Sequence, residues 1–220
     1  MKPIIALNLK TYKESLGTSG IRLAQTASEV SLLTGVRIIV ACQPIDIRPF
    51  SEVHSDIFAQ HVDPHKQGAH TGYLPVEAIK DAGCTGSLVN HSEHRLSEAT
   101  IAGTVARLKE AGLESMVCTQ DERESALYAK FEPSFIAVEP PELIGSGISV
   151  STAKPEIVSG AVGAVAEINT TPVLCGAGVS TADDVAKAIA LGARGVLLAS
   201  AFVKSSDPGK LLTEMAEAVQ

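Results

Sequence analysis

The 220-residue sequence lacks an apolar run that approaches the length of a membrane span. Between Met1-Lys2-Pro3 and Asn8 stand only Ile4-Ile5-Ala6-Leu7, too few for the core of a signal peptide. A cytoplasmic location is therefore expected. No basic cluster is present and the formal net charge is −7, which argues against nucleic acid and anionic membranes as partners. An anionic substrate would have to be drawn in by local groups, against the average field. Cys42, Cys84, Cys118 and Cys175 are not closely spaced, so neither a zinc knuckle nor a CxxC redox site is indicated. In the cytoplasm they are expected to be reduced. Three of them, Cys42, Cys118 and Cys175, end apolar runs and read as small packing residues. No low-complexity tract or Pro/Ser/Gly linker divides the chain, and 45% of residues are hydrophobic, so one domain over residues 1–220 with a substantial core is expected.

What is there is an alternation. Short apolar runs fall at Ile4–Leu9, Val36–Ala41, Ile57–Gln60, Gly86–Asn90, Ser115–Cys118, Phe135–Val138, Val173–Cys175 and Gly195–Leu198. Most are continuously apolar, as parallel strands covered by helices must be. Helical patterns lie between them, the clearest being Gly20–Leu33, Ser97–Ala111, Thr152–Ile168, Thr181–Leu191 and Pro208–Val219. Ser180-Thr181-Ala182-Asp183 suits a helix start, and Gly35, Gly83, Gly112 and Gly192 suit helix stops. Gly83 to Gly112 is 29 residues, and eight units of about that length fill the chain. The pattern predicts a closed (β/α)8 barrel, the TIM-barrel architecture, although about 250 residues is typical for it. An open doubly wound sheet fits less well. It would bring a glycine-rich turn after the first strand, where this chain has Asn8-Leu9-Lys10-Thr11.

Barrel sites lie at the C-terminal ends of the strands. Side chains alternate along a strand, so Ala6, Asn8 and Lys10 share a face in the first strand and Ile5, Leu7 and Leu9 the other. In the sixth strand Phe135, Ala137 and Glu139 share a face; in the fourth, Ser87, Val89 and His91 do. Asn8, Lys10, His91 and Glu139 are therefore expected to converge on one mouth. Taken singly, each has an ordinary alternative: a solvated lysine, a structural histidine, an acid that caps a loop, a turn asparagine. Together they suit proton abstraction beside a carbonyl, with Glu139 as base and Lys10 and His91 stabilising the oxyanion that develops. Arg95 could brace the site, and His94 reads as a loop residue. After the last two strands, Gly176-Ala177-Gly178 and Ala199-Ser200 stand where barrel enzymes commonly bind phosphate.

With these residues placed, the sequence resembles the triosephosphate isomerase family in its compact archaeal form. The resemblance runs from the first strand to the last. It rests on Asn8-Leu9-Lys10, on Asn90-His91-Ser92-Glu93-His94-Arg95, on Ala137-Val138-Glu139-Pro140 with Ile144-Gly145-Ser146-Gly147, and on the glycine turn at Gly176. It implies interconversion of dihydroxyacetone phosphate and glyceraldehyde 3-phosphate, in glycolysis and gluconeogenesis, without cofactor or metal. Glu139, His91 and Lys10 would be catalytic, His91 as a neutral imidazole at a helix N-terminus. Asn8 would orient a substrate oxygen, and Glu93 would stand behind Lys10. Ile144, Gly145, Gly176, Ala177, Gly178, Ala199 and Ser200 would bind substrate, mainly through backbone N–H groups to phosphate.

The chain departs from the family pattern at three places. Pro140-Pro141-Glu142 replaces a common Pro-Val-Trp, Gly178 replaces a serine, and Ala199-Ser200 replace paired glycines. A homo-oligomer, dimer or tetramer, is implied, with the Asp63–Tyr73 loop and its Thr71 at the interface. Another phosphate-binding barrel isomerase or epimerase remains an alternative, though no His/Asp ligand set stands at the strand ends. A catalytically dead binding barrel would require loss of base or electrophile, and both are present.

Overall fold

In a computed structural model, residues 2–143 and 149–220 are described. Eight parallel strands close into a barrel in sequence order, β1 pairing with both β2 and β8. They are β1 (Ile4–Asn8), β2 (Arg37–Cys42), β3 (Ile57–Ala59), β4 (Gly86–Val89), β5 (Glu114–Thr119), β6 (Phe135–Val138), β7 (Val173–Cys175) and β8 (Gly195–Leu198). Around them lie α1 (Gly17–Thr34), α2 (Ile47–Ser51), α3 (Val76–Asp81), α4 (Glu98–Ala111), α5 (Glu122–Ala129), α6 (Val150–Ala153), α7 (Pro155–Ala166), α8 (Ala182–Ala190), α9 (Ser200–Val203) and α10 (Pro208–Ala218). The expected (β/α)8 barrel is what the chain forms.

Two cores result. The barrel interior holds Ile4, Ala6, Ile39, Ala41, Phe58, Leu88, Met116, Cys118, Phe135, Ala137, Leu174 and Leu197. The larger layer between barrel and helices takes the opposite strand faces, including Ile5, Leu7, Leu9, Ile38, Val40 and Val196. Strand side chains therefore point alternately into two apolar layers, which explains runs without polar interruption. Inside, large Phe58 and Phe135 interleave with small residues, as close packing demands. Small residues sit near the mouth: Ala41 is in register with Asn8, and Cys118 with Ala137, two residues before Glu139. They leave room above them for a site.

The opposite end of the barrel is closed by charge. Arg37 donates to Asp56 and, through Nη1, to Glu114 at 3.1 Å, while Thr85 Oγ1 donates to Asp56 at 2.7 Å. Strand starts of β2, β3, β4 and β5 are thus tied at the end away from the mouth.

One helix differs from expectation. The continuous helix expected over Thr152–Ile168 is two, α6 and α7, because the residue before a proline is forced out of the helical region. Lys154, before Pro155, has φ −143° and ψ 60°. The start of α8 is capped by Thr181, not Ser180: Thr181 Oγ1 accepts from Asp184 N at 3.2 Å, and Asp184 Oδ2 accepts in turn from Thr181 N at 3.0 Å.

Candidate active site

A cavity of about 340 Å³ opens at the C-terminal end of the barrel. Asn8, Lys10, Tyr12, His91, Glu139, Ala177–Ser180, Leu197–Ala201 and Lys204 line it. Asn8, Lys10, His91 and Glu139, expected to converge, are brought together there, and so are Ala177, Gly178, Ala199 and Ser200.

Glu139 follows β6 directly and its N–H donates to Thr119 O at 2.7 Å, which continues the ladder and holds its Cα in place. The residue is only 6% exposed. Among the described residues no hydrogen-bond donor reaches its buried Oε2. A buried, unpartnered carboxylate oxygen costs stability and calls for an explanation. Oε2 lies 3.8 Å from His91 Nε2, too far for a hydrogen bond. The Cys118 thiol lies beside Glu139, and burial first, then the Glu139 charge, pushes its pKa well above the usual thiol range.

His91 arrives by a route that strand alternation did not foresee. Ser87, Val89 and His91 were expected to share the inward face. Instead Leu88 fills the barrel interior and Val89 packs outward. Asn90 then takes φ 63°, a left-handed turn that breaks the alternation and redirects His91 to the mouth. Its amide donates to Cys118 O at 3.0 Å and its Oδ1 accepts from Leu96 N at 2.9 Å, which locks the turn. Nor does His91 stand at a helix N-terminus: α4 begins at Glu98, after the cap Ser97. The N–H that reaches the ring is that of Glu93, donated to Nδ1 at 3.2 Å. A neutral ring whose Nδ1 accepts carries its proton on Nε2, and Nε2 is the nitrogen facing Glu139.

Lys10 is the counterpart after β1. Its φ of 49° is unusual for a side chain this size and costs about 1 kcal/mol or more. Gln60 offsets this by donating to Lys10 O at 2.9 Å. The ammonium donates to Glu93 Oε1 at 2.7 Å, so one glutamate supplies backbone to His91 and side chain to Lys10. Asn8 Oδ1 accepts from Lys10 N at 3.0 Å and from Gln60 at 3.3 Å. Its carbonyl is thereby occupied, and its amide N–H groups are what it can offer a ligand. Gln60 was not singled out from the sequence. It stands two residues after the inward Phe58, so the alternation that located Asn8 could have located it.

The glycine turn divides into two functions. Gly176 N–H is already donated to Val138 O at 2.9 Å, so it is not a donor for a ligand. What Gly176 supplies is clearance: an added Cβ would overlap the Glu139 side chain. Ala177 and Gly178 follow with φ 67° and 72°, curling the backbone around the cavity wall. Asp184 holds this turn from behind. Its Oδ2 accepts from Ser180 N, Ser180 Oγ, Thr181 N and Thr181 Oγ1 at 2.9–3.3 Å. Burial pushes the Asp184 pKa up, but these donors outweigh it and hold the carboxyl below its usual range. Ala199 and Ser200 open α9: Phe202 and Val203 N–H donate to Ala199 O at 3.2 and 3.1 Å, while the N–H groups of Ser200 and Ala201 precede the first intrahelical bond.

Pro140-Pro141 continues into a single 3-10 turn, Pro141–Leu143. Glu142 pairs with Lys154. Ile144 and Gly145, expected to touch substrate, lie outside the described residues. Arg95 pairs with Glu124, and His94 stacks on His61 at 4.4 Å between ring centroids.

The triosephosphate isomerase family model matches residues 3–219. The chain belongs to the triosephosphate isomerase family. It is 51% identical to the triosephosphate isomerase of Methanothermus fervidus, over 97% of each chain. With that of Methanocaldococcus jannaschii it shares 48% identity, over 96% of this chain and 98% of the relative. For that of Archaeoglobus fulgidus the identity is 46%, over 96% of each. The family's barrel and the cavity at its mouth thus agree with the full-length match.

Proposed function

We propose that the protein interconverts dihydroxyacetone phosphate and D-glyceraldehyde 3-phosphate through an enediolate, with Glu139 as the base. The observation that carries this is the buried, unpartnered Glu139 Oε2 facing His91 Nε2 at 3.8 Å beside one cavity, with His91 Nδ1 already occupied by Glu93 N–H. Glu139 takes a proton from the carbon next to the carbonyl, and the bond's electrons pass to the carbonyl oxygen. His91 Nε2–H donates to that oxygen, and the ring passes the hydroxyl proton from one oxygen to the other. Glu139, now a carboxylic acid, returns its proton to the neighbouring carbon. The exchange is redox-neutral, so no external oxidant or reductant enters it.

Lys10 adds positive charge near the developing enediolate, Asn8 orients a substrate oxygen, and Glu93 positions both Lys10 and His91. Ala177, Gly178, Ala199 and Ser200, with Ile144 and Gly145, take the phosphate. Small side chains at most of these positions support that role, since backbone can approach an anion there. Glycolysis and gluconeogenesis in the cytoplasm are the corresponding setting. No described helix is long and apolar enough to cross a membrane.

A homo-oligomer through the Asp63–Tyr73 loop belongs to the same reading. Asp63 fixes the loop base by accepting Leu74 N at 2.7 Å, while Tyr73 is 53% exposed and Ile45 81%. Solution mass decides between dimer and tetramer. The activity is tested by a coupled assay on glyceraldehyde 3-phosphate with wild type and Lys10→Met. Turnover should be rapid in the first, and the second should bind a phosphate-bearing enediolate mimic more weakly. Absence of turnover in the wild type sinks the reading.

A further inference from the structure

We infer that Lys204 is a second cation of this site, that it binds the substrate phosphate, and that Tyr12 holds it in place. The inference rests on the triose-phosphate reading above. The chain carries a net charge of −7, so a phosphate dianion meets an unfavourable average field and needs local positive charge. Two lysines line the cavity, Lys10 and Lys204. They are not equivalent. A carboxylate already compensates Lys10, through the 2.7 Å contact with Glu93. Among the described residues no ion pair involves Lys204; its Nζ instead lies 4.3 Å from the centroid of the Tyr12 ring.

That difference decides which lysine has charge to spare. A cation–π contact restrains an ammonium without neutralising it and leaves N–H donors for an anion. The backbone brings Lys204 to the phosphate wall: its N–H donates to Ser200 O at 2.9 Å, so the turn that carries Ser200 also carries Lys204. Tyr12 follows β1 two residues after Lys10, so β1 and β8 each deliver a part of the contact. Lys204 is exposed, hence accessible to an arriving anion, while Glu139 and His91 are buried deeper in the same cavity.

The test compares Lys204→Met, Lys204→Arg, Tyr12→Phe and Tyr12→Leu with wild type. It reads kcat, KM, the salt dependence of kcat/KM, and affinity for inorganic phosphate by calorimetric titration. Loss of one charge-assisted phosphate contact in Lys204→Met should raise KM and weaken phosphate binding about tenfold, with kcat within about threefold. The fall of kcat/KM with salt should become shallower. Lys204→Arg should restore most of the loss. Tyr12→Leu should raise KM a few-fold, and Tyr12→Phe, which keeps the ring, should raise it less. Lys204→Met with KM, phosphate affinity and salt dependence within twofold of wild type overturns the inference. If wild type fails to isomerise triose phosphates, the underlying reading fails. The phosphate titration then still decides the role of Lys204, and equal affinity in wild type and Lys204→Met removes it.

Discussion

Gly176→Ala isolates the placement of Glu139 from its chemistry. Gly176 has no left-handed φ, so alanine brings no backbone strain there. The cost is steric and has one target. The added Cβ would overlap Glu139 Cγ and stand 3.0 Å from Cδ and 3.2 Å from Oε1. Carbon atoms in ordinary contact are about 3.5–4.0 Å apart. The Glu139 side chain must therefore retreat by roughly 1 Å at Cγ and roughly half an ångström at Cδ. A displacement of about 1 Å in a reacting group costs on the order of 10²-fold in rate. Overpacking of this kind also costs about 1–3 kcal/mol of stability. Gly163→Ala is the matched control: Gly163 lies within α7, has no left-handed φ, and its Cβ would meet nothing within 4 Å. It should leave kcat unchanged and stabilise the helix by up to about 1 kcal/mol. The assay is steady-state isomerase kinetics with thermal unfolding of both variants. Gly176→Ala with near-normal kcat would show that the site does not depend on where Glu139 sits, and would refute the reasoning.

Asp184→Ala should lose about 1–2 kcal/mol as a lost capping network and raise KM for the triose phosphate, because the turn carrying Gly178 loses its anchor. Since the Asp184 pKa is depressed on folding, its contribution is present above the unfolded value near pH 4 and lost as pH falls through the lower folded value. Wild type should therefore lose some stability at acid pH that the variant never had; parallel pH–stability curves would contradict this. Arg37→Met strips Asp56 and Glu114 of their shared donor and should lower the free energy of unfolding by about 1–3 kcal/mol, with kcat unchanged because the cluster is at the far end of the barrel. A large fall in kcat with intact stability would count against that separation. The thiols give an alkaline signature. Burial pushes Cys84 and Cys175 up to about 12, so the native chain keeps protons that the unfolded chain sheds above about pH 8.5. Stability should fall above that pH by about 1.4 kcal/mol per unit for each such thiol, and native protein at neutral pH should resist thiol reagents. Fast labelling without unfolding would contradict it.

The barrel was legible because its cause is written locally. Strands buried on both faces must be largely apolar, and most of the eight are continuously so, with the polar residues of β1, β2 and β5 concentrated at strand ends. Asn8 and Glu139 were legible through alternation, since Ala6 and Ala137 point inward and the strands keep their register to the end. His91 reaches the mouth, but not by strand alternation, because a left-handed Asn90 intervenes; no sequence period encodes a single-residue reversal. Asp184 reads as an ordinary first-turn acid until the fold closes five bonds around it. Tyr12 and Lys204 lie at opposite ends of the chain, and only closure of β1 against β8 brings them together. Residues set by strand geometry were readable; those set by turns and by long-range closure were not.

The central claim is that Glu139 moves a carbon-bound proton of a triose phosphate. Incubation of dihydroxyacetone phosphate with the protein in deuterium oxide, followed by proton NMR, tests it directly. A proton lodged on a carboxylate exchanges with solvent, so wild type should place deuterium on the substrate carbon and on product. Glu139→Gln should lose that incorporation by on the order of 10²-fold or more. Incorporation by Glu139→Gln at the wild-type rate would mean that another group removes the proton, and the account would fail.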